Sequence, residues 1–340
     1  MKALIHQGIK GLAGVNWVEV ETPVPKSGEV RIQVQAMGLN HRDLRVVDRH
    51  DLNSPAFILG SDGAGVVDAV GPGVVDWLPG DEVVIDPSLN WLDGLYPPED
   101  VAILGFPSNG TFAEYVVVPS GQIAAKPTHL SWEEAGVLPL AGLTAYRALF
   151  TRAQLQSGQM VLLPGVGGGV ATFLLLFAKA AGARVAVTSR SPKKLERAKK
   201  LGADVVLQSD GDWTMALREA AASQTMESLA GRVDLIVDSV GPALWDKCLS
   251  VLKTGGTLVN FGLTTGNEVS LPLREFFFGH WNILGAAMGS HAEFLSMLTF
   301  VERHHIKPII DKVFSLSDGS RALAYLAEGA QFGKVALRFN

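Results

Sequence analysis

The sequence predicts an α/β protein in which a doubly wound parallel sheet is joined to a separate β-rich domain. Three observations carry that prediction. Residues 161–171 run an apolar strand into a glycine cluster, followed by an apolar helix to Ala181 and a β-branched strand at 184–190. Strand and helix patterns then alternate until six strands are complete. By contrast, residues 2 to 125 hold short alternating runs broken by Pro and Gly. A chain of 340 residues, 47% hydrophobic and 19% charged, has the material for a large core and two domains.

Taken in order, the β-rich part includes alternating runs at 29–35 and 113–118, punctuated by Gly71-Pro-Gly73 and Pro79-Gly-Asp81. Between them, residues 39–44 read as the first turn of a short helix with Asn40 as N-cap. Residues 86–107 lack periodicity and are rich in Pro, Asp and Trp, which predicts a long surface loop. From Ser131 the pattern becomes helical, opening on Ser131-Trp-Glu-Glu134, a capping box, and continuing through 144–151. Beyond the glycine unit come a third strand at 204–208, a helix at 212–222 and a fourth strand at 233–240. A helix from Pro242, a fifth strand at 256–262 and a sixth at 282–288 complete the sheet. The tail reads as an amphipathic helix at 291–305, a strand at 309–314, a helix at 318–328 and a strand at 334–339. It is expected to return to the β-rich domain, because the six-strand sheet is already full. The expected division is 1–125 with 291–340 against 126–290.

The glycine cluster suggests chemistry. Gly165 permits a tight turn after the strand, while Gly167, Gly168 and Gly169 with Val170 bring backbone N–H groups and a helix start toward an anion. A strand before and a second strand after make this a dinucleotide cradle. In units that prefer NAD, an acid at the end of the second strand accepts from the ribose 2′-hydroxyl. Here residues 188–194 read Thr-Ser-Arg-Ser-Pro-Lys-Lys. Ser189, Arg190 and Lys194 can instead donate to a 2′-phosphate, each charge-assisted bond contributing about 1.5–3 kcal/mol, so NADPH is the expected cofactor. A solvated basic helix start is the plainer reading, although positive charge there opposes the helix dipole.

Other classes are excluded or demoted. A net charge of −5 without a Lys/Arg run gives no footprint for nucleic acid. The first residues lack the apolar core of a signal peptide and the longest apolar run is too short to span a bilayer, so a cytoplasmic location is expected. Cys248 stands alone among Leu249, Val251 and Leu252 and reads as a packed core thiol. His280, His291, His304 and His305 have no companions at metal-ligand spacing and read as surface residues.

Several motifs in fixed order carry a family resemblance over nearly the whole chain: Asn40, Gly-Ser-Asp-Gly-Ala-Gly at 60–65, Ala-Val-Gly-Pro-Gly at 69–73, Pro-Gly-Asp at 79–81 and Leu-Thr-Ala-Tyr at 143–146, then the glycine turn. Together they resemble the medium-chain dehydrogenase/reductase superfamily, and within it the quinone oxidoreductase and enoyl reductase branch. The resemblance implies a GroES-like catalytic domain, a Rossmann domain, an active site in the cleft between them and a homodimer. Zinc alcohol dehydrogenases of the same superfamily carry metal ligands where this chain has Asn40, Ser61 and a residue near Leu140, and structural cysteines where it has residues 86–107. Only His41 and Asp62 remain nearby, so no zinc is expected. The substrate expected is then a small conjugated carbonyl compound or quinone, whose own delocalisation tolerates an incoming hydride.

The same resemblance implies site residues. Asn40 is placed to donate toward nicotinamide or substrate, Thr144 lies at a position near the nicotinamide half, and Tyr146 is a candidate proton donor. Ser239, Val240, Phe261, Gly262, Leu263, Met288 and Gly289 lie at carboxyl ends of strands, where dinucleotides bind. Lys334 follows Gly333 in a pair similar to the family's C-terminal signature and is assigned to the cofactor. Ser209 stands where relatives carry a tyrosine near the adenine. Phe276-Phe-Phe278 with Trp281 reads either as a dimer surface or as core. Two alternatives stay open: a dinucleotide-binding protein without turnover, and an alcohol dehydrogenase recruiting metal through His41 and Asp62.

Overall fold

The computed structural model describes residues 1–50, 53–222 and 232–339. They form two compact units, Met1–Leu143 with Gly289–Asn340 and Thr144–Met288.

The first unit is the GroES-like domain. Its centre is the ten-residue strand Glu29–Gly38, whose alternating Val30, Ile32 and Val34 are fully buried. One edge pairs with Ala64–Val70; the other pairs first with Tyr115–Pro119 and then, beyond Ala36, with Lys334–Arg338. Glu82–Ile85 and Ile123–Ala125 extend one side, and Ile310–Ser315 lies parallel to the C-terminal strand on the other. A three-stranded sheet of Val15–Glu19, Lys2–His6 and Phe57–Ile58 stands beside it. Leu4, Ile32, Val34, Phe112 and Leu337 belong to one shared core, each contributing about 1.5–3 kcal/mol by leaving water.

Two features of this unit differ from the expectation. Residues 126–143, placed with the dinucleotide domain from sequence, pack here: Glu133 pairs with Arg338 at 3.0 Å, and the Leu140 N–H bonds the Asp62 side chain. The capping box at Ser131 is formed, with both reciprocal bonds. The segment 86–107 is also more than a surface loop. It contains paired strands Ser88–Leu89 and Ala102–Ile103 and the buried ring of Trp91. The backbone N–H groups of His291 and Ala292, opening the helix His291–Arg303, donate to Trp91 and Leu92 carbonyls at 2.8 and 3.0 Å. His291 Nδ1 lies 2.9 Å from buried Asp86, so it is a structural partner and not the surface residue expected. A helix start leaves N–H groups open, and this lobe uses them.

The second unit is the Rossmann domain. Six parallel strands lie in the order Val205–Gln208, Arg184–Ser189, Met160–Leu163, Val233–Asp238, Leu252–Asn260 and Asn282–Gly285. The order reverses beside Met160–Leu163, where open α/β sheets bind ligands. Strands buried on both faces need continuous apolar sequence, and Met160, Val161, Leu162 and Leu163 are all buried. Cys248 is buried in the core beside Leu249 and Val251, and burial pushes its thiol far above the ordinary range. Trp281 packs on that core, whereas Phe277 and Phe278 of the helix Leu273–Gly279 are 57% and 63% exposed. Among the described residues no helix is long and apolar enough to cross a membrane.

Candidate active site

In the first unit the chemistry gathers around Asn40. The chain leaves Glu29–Gly38 and enters the helix His41–Arg49 with Asn40 extended as its N-cap. Asp43 Oδ2 accepts the Asn40 N–H at 2.7 Å. The Asn40 side chain donates from Nδ2 to Asp62 Oδ2 at 2.8 Å, and its Oδ1 accepts from Lys334 Nζ at 2.6 Å. Lys334 also donates to Asp62 Oδ2 at 2.9 Å and to the Leu39 carbonyl at 2.8 Å. Asp62 Oδ1 accepts the Leu140 N–H at 2.7 Å. Three distant pieces of chain thus close a ring of Asn40, Asp62 and Lys334. All three are buried.

Local structure explains the placement. Gly60 has φ +99°, and a Cβ there would fall 2.2 Å from Phe112 Cδ1, so only glycine lets the chain set Ser61 and Asp62 against that ring. Ser61 donates to the Leu104 carbonyl at 2.7 Å and accepts from Arg42 Nη1 at 2.6 Å. Asp43 is fully enclosed, and burial pushes its carboxyl up to about 6 against the opposing Asn40 N–H.

These residues do not fit a catalytic zinc. The positions where the family resemblance places the first two ligands hold an amide and a hydroxyl, Asn40 and Ser61, and the third falls near the alkyl side chain of Leu140. Asp62 already accepts from three donors, one an ammonium that would repel any cation brought to it. His41 is exposed at the helix start while Asp62 is buried. Among the described residues no three His, Cys, Asp or Glu side chains are grouped to hold an ion.

In the second unit the glycine turn lies where the sequence places it. Gly165 and Val166 donate their N–H groups to Thr188 Oγ1 and O at 3.1 and 2.8 Å, tying the turn to the second strand. Gly167 has φ +139°, and a Cβ there would meet Lys194 Cδ at 2.7 Å, because the lysine chain crosses the turn. Gly168 is the N-cap of the helix Gly169–Ala180, which directs its positive end at this spot. Val170 follows in the first turn. Ser189 is buried and accepts the Ser191 N–H at 3.2 Å, and Arg190 beside it is exposed. Ser191 caps the helix that carries Lys194.

The Ser239–Val240 loop packs against the same turn. A Cβ on Gly165 would lie 2.7 Å from Val240 Cγ2. Asp238 shapes the Ser239–Val240 turn by accepting the N–H groups of Val240 and Gly241 at 2.8 and 3.0 Å; burial pushes its carboxyl above the ordinary value. Thr264 and Thr265 hydroxyls donate to the Ser239 and Val240 carbonyls, lacing that turn to the loop holding Phe261, Gly262 and Leu263. Met288 has φ +52° at the end of this unit, a conformation costing a non-glycine residue about 1 kcal/mol or more. Thr144 is buried on Pro139–Tyr146, and the Tyr146 ring packs 4.9 Å from Phe150.

Gly289 and Lys334 belong to the first unit. Every donor of the Lys334 ammonium goes to a residue of that unit: Leu39, Asn40 and Asp62. The roles of Asp62 and Asp43 as partners of Asn40 were not visible in the sequence. One signal could have found the first: a lysine opening the apolar strand Lys334–Arg338 must be paired if buried.

Comparison with known proteins matches residues 26–128 to the alcohol dehydrogenase GroES-like domain and residues 169–303 to the zinc-binding dehydrogenase domain. A zinc-type alcohol dehydrogenase-like protein of Leptosphaeria maculans is 33% identical over 94% of this chain and 92% of its own. A solved NAD-dependent alcohol dehydrogenase superposes with a TM-score of 0.91 at 34% identity, covering all of both chains. A 2-octenoyl-CoA carboxylase reductase, solved with NADP and 2-octenoyl-CoA, superposes with a TM-score of 0.83 at 26% identity, over 99% of this chain and 87% of that one.

Asp43 gives this site a pH signature. Its folded value lies above the ordinary carboxylate value, so it binds a proton on folding between the two. The stability it contributes is full below the ordinary value and falls as pH rises to about 6. Asp43→Asn keeps an acceptor for the Asn40 N–H and removes the titration. Relative to the wild type, the variant should gain roughly 1–3 kcal/mol between about pH 4 and pH 6, measured by denaturant unfolding. Parallel pH profiles for the two proteins would refute the assignment.

Proposed function

Because this chain is a member of the medium-chain dehydrogenase/reductase superfamily, we propose that it is an NADPH-dependent oxidoreductase that reduces quinones or α,β-unsaturated carbonyl compounds without metal. One observation carries the reading: Asn40 and Ser61 stand where zinc relatives place ligands, the third such position lies near Leu140, and Asn40 and Leu140 are bonded to an Asp62 already paired to Lys334.

The residues at the glycine turn fit a dinucleotide. Gly167, Gly168 and the start of Gly169–Ala180 suit its pyrophosphate, and Ser189, Arg190 and Lys194 suit a 2′-phosphate. When bound, NADPH supplies a hydride. The chain's part is to hold the acceptor and answer the negative charge that develops on its oxygen. A metal would add several kcal/mol of polarisation, which a simple ketone needs. A quinone or enone spreads that charge itself, and the N–H donor of Asn40 with a proton from solvent then suffices. The carboxylase reductase solved with NADP and an enoyl-CoA supports a conjugated acceptor. The NAD-dependent alcohol dehydrogenase supports a second reading, oxidation of simple alcohols with NAD.

We propose a homodimer as well, through the exposed Phe277 and Phe278 and the half-buried edge strand Asn282–Gly285.

Three measurements check these proposals. With NADPH, the purified protein should oxidise the cofactor in the presence of quinones and enones but not simple aldehydes, and a chelator should leave the rate unchanged. Turnover of aldehydes that a chelator abolishes would select the alcohol dehydrogenase reading, and inertness toward every acceptor would select a binding role without catalysis. Arg190→Ala should raise KM for NADPH by roughly tenfold or more while KM for NADH changes little; equal effects would show the cofactor to be misassigned. Phe277→Glu with Phe278→Glu should convert the dimer to a monomer in sedimentation velocity, and an unchanged mass would place the interface elsewhere.

A further inference from the structure

We infer that Lys334 is a positioning residue for Asn40, holding and polarising its amide so that one N–H remains as the donor to the substrate's developing oxyanion. This deepens the proposed reaction and rests on it. Hydrogen-bond chemistry settles the amide's orientation. An ammonium can only donate, so the Asn40 atom 2.6 Å from Lys334 Nζ is the oxygen. The Asp62 carboxylate accepts, so the atom 2.8 Å from it is the nitrogen. A rotated amide would set Nδ2 against the ammonium and Oδ1 against the carboxylate, two repulsions in a buried site. Only one orientation survives.

That orientation consumes one Nδ2 hydrogen on Asp62. The other faces the Gly38 carbonyl at 3.5 Å, the outer limit of a hydrogen bond, which an anionic oxygen at normal distance would readily outbid. A cation on the amide oxygen draws electron density from the nitrogen, which makes the remaining N–H a stronger donor, and low dielectric magnifies the effect. Lys334 touches neither substrate nor cofactor in this scheme. It acts through Asn40, and Asp62 holds it in place while keeping the pair neutral.

The test replaces both charges, because Lys334→Met alone would strand a buried carboxylate. In Lys334→Met/Asp62→Asn the net charge of the pocket is unchanged. Two readouts are taken beside the wild type: the Asn40 side-chain NH2 signals in 15N-asparagine-labelled protein, assigned by their loss in Asn40→Ala, and kcat for an enone together with the Kd for NADPH. We expect the two wild-type Nδ2 protons to be widely split and to draw together in the double variant. kcat should fall roughly tenfold to a hundredfold, less than the outright loss of an oxyanion donor, with the NADPH Kd within about threefold of wild type. Unchanged NH2 signals overturn the positioning role whether or not the protein turns over. An NADPH Kd raised in step with the loss of rate would make Lys334 a dinucleotide ligand instead. If the wild type reduces no conjugated acceptor, the donor role falls with the proposed function, and the NMR comparison still decides whether Lys334 sets the amide.

Discussion

Lys334 and Asp62 are 272 positions apart, and their ion pair is buried on both sides, 2% and 0% exposed. Removing two charges from water costs several kcal/mol each, and their attraction offsets this only when remaining hydrogen-bonding capacity is met. Here it is met: the ammonium spends its donors on Leu39, Asn40 and Asp62, and the carboxylate accepts from Lys334, Asn40 and the Leu140 N–H. The last strand, the first helix's cap, the Ser61–Asp62 turn and the helix carrying Leu140 therefore share one electrostatic knot. Loss of a single member leaves a buried charge unpaired, which is costlier than never having had the pair.

The second unit is built on a different principle. Its glycine turn offers backbone N–H groups and a helix start, and its carboxylate, Asp238, faces inward to shape a loop. The Asp238 oxygens bind Val240 and Gly241, and Thr264 and Thr265 tie that loop to the next. A surface made of backbone keeps its shape without rotamer freedom, which suits an anion of fixed geometry. The side chains beside it differ in exposure: Ser189 is buried and Arg190 is exposed.

This division explains which features were legible in the amino-acid order. The strand, glycine turn and apolar helix at 161–181 are contiguous, so their period and composition announce them, and the six-strand count follows by the same logic. The caps at Asn40 and Ser131 are local motifs and are where the sequence puts them. The lobe at 86–107 gave no period because its order comes from the buried Trp91 ring and from helix-start N–H groups two hundred residues away. His291 looked solitary for the same reason: its partner, Asp86, is adjacent only in space. Residues 126–143 look like the prelude to the parallel sheet in sequence, yet Leu140 completes the Asp62 shell in the other unit. Lys334 could be seen as notable but not as bonded, since three of its contacts cross nearly the whole chain.

The helix His41–Arg49 shows how such long-range bonds become precision at a site. Its first end carries Asn40 and Asp43, tied to Asp62 and Lys334. Its far end is capped by His50, equally buried, whose Nδ1 lies 2.7 Å from Nδ1 of His6, while its Nε2 reaches the Pro55 carbonyl at 3.2 Å. His6 in turn contacts the Gly11 carbonyl, and the Phe57 ring packs against both imidazoles. A nine-residue helix of marginal intrinsic stability is thereby pinned at both ends by polar contacts of buried side chains. Sliding it would break both sets at once, at a cost well above thermal energy. The Asn40 amide on its cap is consequently held in one orientation by the fold itself, and a group held in that way need not reorganise when a partner binds it.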